Sequence, residues 1–109
     1  MKKSYRAYSD GQFLKKEDVD PPVVWTINNV EERNVTAPGK PPKTKLVLFF
    51  NESQKGLVLN MANGDALYEM TGHENPQEWI GQQVELYVDE GVAYAGKRIG
   101  GVRLRQPQY

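Results

Sequence analysis

The sequence contains no cysteine, only one histidine and no long apolar run. Without cysteine, disulfide bonds and thiolate metal sites are excluded. His73 has no second histidine to complete a typical zinc site, and catalysis of the Ser-His-Asp type would depend on this one residue. The longest apolar run, Leu46 to Phe50, is much too short to span a membrane, so no membrane partner is expected.

The sequence also has no excess of positive or negative charge, because 14 Lys and Arg balance 14 Asp and Glu. Net charge therefore gives no attraction to nucleic acid, and only a local basic patch would support such binding. The 109 residues suit one compact domain. Met1-Lys2-Lys3 resembles the start of a signal peptide, but no apolar segment follows it, so we expect a protein that is not secreted.

Composition divides the chain into an N-terminal arm, a domain and a short tail. Residues 1–20 are polar, and they predict either a loosely ordered arm whose Phe13-Leu14 docks on the domain or a disordered tail. Pro21-Pro22 forces an extended entry into the domain, which we place at 21–106. Residues 107–109 form the tail.

Alternating apolar residues predict five β-strands in this domain. The first begins with Val23-Val24-Trp25-Thr26-Ile27, and its apolar phase shifts after Asn28-Asn29, which predicts a bulge or bend. Gly100-Gly101 permits a sharp bend in the last strand. The other four strands are predicted at 44–50, 57–59, 83–89 and 98–105.

A single main helix is predicted between the third and fourth strands. Asn60 suits its N-cap, and Gly72 suits a left-handed C-cap. Asn75-Pro76 predicts a further short helical turn. One helix at this place in an otherwise all-β chain predicts a five-stranded OB-like Greek-key barrel. The apolar stripe of the helix is formed by Ala62, Ala66, Leu67 and Met70.

Catalytic patterns are weak throughout the chain. Asp65 and Glu69 stand four residues apart on the predicted helix, which would suit an acid–base pair, but a solvated helix face explains them more simply. His73 is best explained as a solvated loop residue. No phosphate-binding GxxxxGK[ST] or GxGxxG spacing is present. We therefore expect a protein that is not an enzyme, with no cofactor and no metal site.

The remaining candidate is a face that binds single-stranded nucleic acid. Such proteins combine aromatic platforms with a basic groove, and OB-type barrels place these on the second and third strands and the flanking loops. The basic side chains would contact phosphates and the aromatic ones would stack on bases. Alternatively, the aromatic residues pack under the N-terminal arm and the charges only solvate the surface. The candidate residues are Lys40, Lys43, Lys45, Phe49, Tyr87, Tyr94, Lys97, Arg98, Arg103 and Arg105.

Three stretches carry a resemblance: 57–60 leading into the helix with Asn63, 78–81 leading into 84–87, and 96–105. Together they resemble small phage and prophage proteins of OB-like design, over residues 21–106. This resemblance implies a single-stranded-DNA-binding protein or a replication or recombination accessory, in the cytoplasm of a bacterial or phage-infected cell. It transfers no catalytic site, and the chain ends in Arg105-Gln106-Pro107-Gln108-Tyr109 rather than in an acidic recruiting tail.

A second hypothesis is a protein–protein interaction module of phage type that does not bind nucleic acid. The zero net charge and the proline-rich loop 36–42 favour it. An exposed edge strand would add to a partner's sheet. The partners expected are therefore single-stranded nucleic acid, with DNA favoured, or a protein, which includes a second copy of this chain.

Overall fold

The computed structural model describes residues 13–34, 39, 41, 43–94, 96–98 and 100–108. Its strands are β1 (Val23–Asn34), β2 (Thr44–Phe50), β3 (Ser53–Val58), β4 (Gln83–Asp89), β5 (Ala93–Tyr94), β6 (Lys97–Arg98) and β7 (Gly101–Arg105). Helix α1 (Met61–Thr71) connects β3 to β4, and two 3₁₀ helices cover Lys16–Val19 and Pro76–Trp79. For the described residues, a mostly-β fold with one α-helix after the third strand is therefore confirmed. No helix in the described part is long and apolar enough to span a membrane.

Five strands form one antiparallel sheet in the order β3-β2-β1-β4-β7, while β5 and β6 pair with each other. The first half of β1 pairs with β4, with Trp25 opposite Val84. Its second half pairs with β2, and the register shifts between Ile27 and Asn29. The bulge predicted there is confirmed, and it lets one long strand belong to both halves of the sheet.

The sheet is open, since β3 and β7 are its two edges and no ladder joins them among the described residues. The closed OB-like barrel therefore stays a prediction. Both edges are nevertheless covered. The Leu14 N–H donates to the Gly56 carbonyl of β3 at 2.8 Å. On β7, the Asn63 carboxamide donates to the Val102 carbonyl at 3.1 Å and accepts from the Leu104 N–H at 3.2 Å.

Helix α1 begins and ends as its capping residues predict. The Asn60 side chain accepts from the Asn63 N–H at 2.8 Å, and Gly72 adopts φ +75° and donates to the Tyr68 carbonyl. Leu67 is fully buried, as the predicted stripe requires. Ala62 is exposed, however, and Asn63 occupies the buried position beside it.

The core is formed by apolar side chains from the sheet, α1 and both 3₁₀ helices. Trp79 is almost fully buried, and its indole N–H donates to the His73 carbonyl at 3.0 Å. Trp25 is half-buried, with its ring centre 5.5 Å from that of Phe50. The buried core residues are Val19, Ile27, Val30, Leu48, Phe50, Leu57, Leu67, Trp79, Val84, Leu86 and Leu104.

Two strands differ from the prediction in their bounds, and β3 also ends at Val58 rather than at Leu59. β3 begins at Ser53 rather than at Leu57, because the turn after β2 needs only Asn51 and Glu52. The last strand begins at Gly101, since Gly100 takes φ +73° and interrupts the extended backbone. The segment before Gly100 instead forms the short hairpin β5–β6.

Candidate nucleic-acid interface

The structure separates the predicted binding residues into three groups. Lys45 and Phe49 lie on β2; Tyr87, Arg103 and Arg105 lie on β4 and β7; and Tyr94, Lys97 and Arg98 belong to the β5–β6 hairpin. Lys43 is exposed just before β2, whereas Lys40 lies outside the described residues. Because β1 separates β2 from β4, the first two groups belong to different halves of the sheet.

Tyr87, Arg103 and Arg105, together called the β4–β7 cluster, lie on one face of two paired strands. Tyr87 stands opposite Arg103 in the register, and the Arg105 guanidinium carbon lies 4.2 Å from the centre of the Tyr87 ring. Arg105 also forms an ion pair with Glu85, which is 7% exposed. The charge of Arg105 is therefore matched within the protein, and this side chain holds the Tyr87 ring in place.

Arg103 contrasts with Arg105 in its charge balance. Its guanidinium makes one hydrogen bond of 3.3 Å to the Val102 carbonyl, and no ion pair involves it in the described part of the chain. Arg103 also lines a cavity of about 570 Å³ in the gap between β3 and β7. Its charge is accordingly the one in the β4–β7 cluster that is available for a phosphate.

The group on β2 includes a residue that the sequence did not indicate. Arg33 stands opposite Lys45, and its guanidinium carbon lies 5.2 Å from the centre of the Phe49 ring. Glu31 fixes this arrangement by accepting from Arg33 Nη2 at 2.8 Å and from Nε at 3.1 Å. Only the register of β1 against β2 brings Arg33 to Phe49, so alternation along one strand could not identify the contact.

Phe49 also bears on the alternative in which aromatic residues pack beneath the N-terminal arm. A Cβ placed on Gly56 would lie 3.1 Å from Phe49 Cε1, so the ring lies directly against this glycine. Phe13 bridges to Gly56 from the arm. The Phe49 ring thus has a packing role, which makes Tyr87 the better candidate for a stacking platform.

The β5–β6 hairpin lies between β4 and β7 in the chain. Tyr94 pairs with Lys97, and Ala93 pairs with Arg98. The backbone of this segment therefore forms a hairpin that carries Tyr94. Residues 97–108 contain four basic residues and no acidic residue, which concentrates positive charge at the end of the chain.

The acid–base candidates are dispersed on the surface. Asp65 and Glu69 are exposed on α1, and His73 is exposed after its C-cap. Within the described residues, no three His, Asp or Glu side chains form a group that would hold a metal ion. Comparisons with protein-family models, with curated proteins and with solved structures found no match to this chain. Its function is therefore inferred from the chemistry of its surface.

Proposed function

We propose that this chain binds single-stranded nucleic acid, with DNA favoured, as a phage-type replication or recombination accessory. The observation that carries the proposal is the β4–β7 cluster, in which Tyr87 of β4 stands opposite Arg103 of β7 and its ring contacts the Arg105 guanidinium. A base would stack on Tyr87 or on the guanidinium plane that covers it, and Arg103 would contact a phosphate. Stacking contributes roughly 1–3 kcal/mol per base, and phosphate contacts add a salt-dependent contribution.

The strand order supports an OB-like architecture for this binding face. Helix α1 lies between β3 and β4, and β3 and β7 are the edges that would meet in a closed barrel. The cavity between these two edges is lined by apolar Leu57 and Val58 and by Arg103. In the proposal, a nucleic-acid strand follows the β4–β7 cluster and the β5–β6 hairpin along this gap.

Fluorescence anisotropy with labelled single-stranded DNA, single-stranded RNA and duplex DNA of equal length tests the proposal. At two salt concentrations, the single strand should bind more tightly than the duplex and should weaken as salt rises. Tyr87→Ala should reduce the affinity about 5- to 150-fold, which corresponds to roughly 1–3 kcal/mol of stacking. Tyr68→Ala is the matched control, because Tyr68 is an exposed tyrosine on α1.

Absence of binding at low salt would contradict nucleic-acid binding and favour the protein-interaction module. Equal losses of nucleic-acid affinity for Tyr87→Ala and Tyr68→Ala would show that the β4–β7 cluster is not the stacking platform. A preference for RNA over DNA would retain the site and change its ligand.

A further inference from the structure

Charge is distributed unevenly along the chain, although its total is zero. Between Gly56 and Gly96 there are seven Asp and Glu residues and no Lys or Arg. The rest of the chain therefore carries seven positive charges in excess. The acidic segment contains α1, the second 3₁₀ helix and β4.

An open groove of about 650 Å³ lies where α1 and the second 3₁₀ helix meet the ends of β2 and β3. Met61 is 81% exposed and Tyr68 is 49% exposed beside it, while the nearly buried Trp79 lines the same groove. A flexible thioether and a large aromatic ring are the side chains that adapt to an apolar partner. The apolar lining residues are Leu46, Leu59, Met61, Tyr68, Pro76 and Trp79.

The charged lining of the groove belongs mainly to the acidic segment. Asp65 from α1 and Glu74 from the following loop are both exposed and both line the groove. Lys45, which is half-buried and comes from β2, also lines it. Contiguous apolar surface rimmed by polar groups marks an interaction site, and the charge of the rim selects the partner.

We propose that this groove binds a basic amphipathic segment of a partner protein. An apolar side chain of the partner would enter between Met61 and Tyr68, and Lys or Arg residues beside it would pair with Asp65 and Glu74. The positive charge in excess on the rest of the chain disfavours the binding of such a segment there. The same carboxylates repel phosphates, so the groove is separate from the nucleic-acid face proposed above.

Selection from a displayed library of random peptides, with the full-length protein as bait, tests this proposal. The selected peptides should be enriched in Lys and Arg next to Trp, Phe or Leu. A synthetic, labelled copy of a selected peptide should bind the protein in solution. Tyr68→Ala and Glu74→Lys should each weaken that binding about tenfold or more, as expected for an aromatic anchor and its paired charge.

Glu69→Lys is the matched control for Glu74→Lys, since both residues are exposed and only Glu74 lines the groove. Glu69 lines another depression with Met70 and Leu104, so its reversal should leave peptide affinity within about twofold of wild type. Tyr87→Ala should leave peptide binding unchanged, which separates the groove from the nucleic-acid face. The proposal is overturned if no peptide is selected, if acidic peptides are selected, or if Glu69→Lys is as damaging as Glu74→Lys.

Discussion

The side-chain carboxamide of Asn63 stands opposite Arg103 as a residue of a parallel β-strand would. It donates to the carbonyl on one side of Arg103 and accepts from the N–H on the other side, through Val102 and Leu104. A residue in a parallel ladder bonds in this way to the two neighbours of its partner. Asn63 is 1% exposed, so one buried helical side chain satisfies backbone groups at the β7 edge of the sheet.

Asn63→Leu should lower the free energy of unfolding by about 2–4 kcal/mol, because one buried and one partly buried backbone group lose their partner. Urea unfolding measures this loss. Asn60→Ala is the control, since it removes only the helix cap and should cost about 1 kcal/mol. Equal losses of unfolding free energy for Asn63→Leu and Asn60→Ala would show that the carboxamide does not stabilise the β7 edge.

Asn63→Asp should be destabilised in a manner that depends on pH. The carboxylate accepts from the Leu104 N–H but opposes the Val102 carbonyl, whereas the protonated acid donates to that carbonyl. Burial therefore raises the pKa of the introduced carboxyl above its unfolded value of about 3.9. The folded variant then binds a proton that the unfolded chain lacks. Its loss of unfolding free energy relative to wild type should therefore shrink as pH falls below the raised pKa. A deficit independent of pH would contradict this geometry.

Gly56→Ala should lower the free energy of unfolding by about 1–3 kcal/mol. The added Cβ would lie 2.5 Å from Val47 Cγ1, and Val47 is fully buried, so packing around it must shift. Gly64→Ala, in α1, is the matched control. The nearest atom to its added Cβ is a Leu59 methyl at 3.7 Å, and alanine should stabilise the helix by about 0.5–1 kcal/mol. Thermal unfolding of both variants should therefore show midpoint shifts of opposite sign.

Arg103→Gln and Arg105→Gln should separate nucleic-acid binding from stability. Arg103→Gln should reduce the slope of log affinity against log salt by about 1 and leave the unfolding midpoint nearly unchanged. Arg105→Gln deprives the buried Glu85 of its cation and should cost about 1–3 kcal/mol, less than for a pair that is buried on both sides, because the Arg105 side chain is 36% exposed. If both substitutions changed the salt slope of binding equally, or lowered the stability of the fold equally, the distinction between Arg103 and Arg105 would be contradicted.

The Asp18 carboxylate should stabilise the fold at neutral pH, and this stabilisation should be lost in acid. The Lys15 backbone N–H bonds to its carboxylate, and the Lys55 ammonium lies 3.1 Å away, and both lower the pKa of Asp18 below 3.8. The stabilisation is therefore complete above the unfolded pKa and is lost as pH falls through the lower folded pKa. Asp18→Asn should cost about 0.5–1 kcal/mol at neutral pH and nothing once both states are protonated.

Unfolding of wild type, Asp18→Asn and the control Asp20→Asn across the acid range measures this dependence. Asp20 is exposed, so its substitution should have little effect at any pH. A constant cost for Asp18→Asn from neutral to acid pH would show that the carboxylate charge is not what stabilises the first 3₁₀ helix.

Local features of the fold were predictable from the sequence because they depend on neighbouring residues. The strands predicted at 44–50 and 83–89 match β2 and β4 residue for residue, since side-chain alternation is a local pattern. The bonds of Asn60 and the left-handed Gly72 likewise follow from capping chemistry. The bulge near Asn28 followed from a change of apolar phase.

Features that depend on distant partners were missed. The helical stripe placed Ala62 inside because alanine is apolar, yet Asn63 is buried because an amide satisfies the β7 edge. Arg33 reaches Phe49 only through the register of β1 against β2. The acidic segment between Gly56 and Gly96 is visible in the sequence, but the sequence does not show that α1 lies beside an apolar groove.

The bend in β1 has a consequence for how the chain folds. Its second half pairs with β2, the next strand along the sequence, whereas its first half pairs with β4, about sixty residues later. The β1–β2–β3 meander and the β4–β7 pair can therefore each assemble from contacts that are close in the sequence, while the pairing of β1 with β4 requires a long loop to close. Since one continuous strand belongs to both, we expect damage to either half to destabilise the other and the described sheet to unfold as a single cooperative unit.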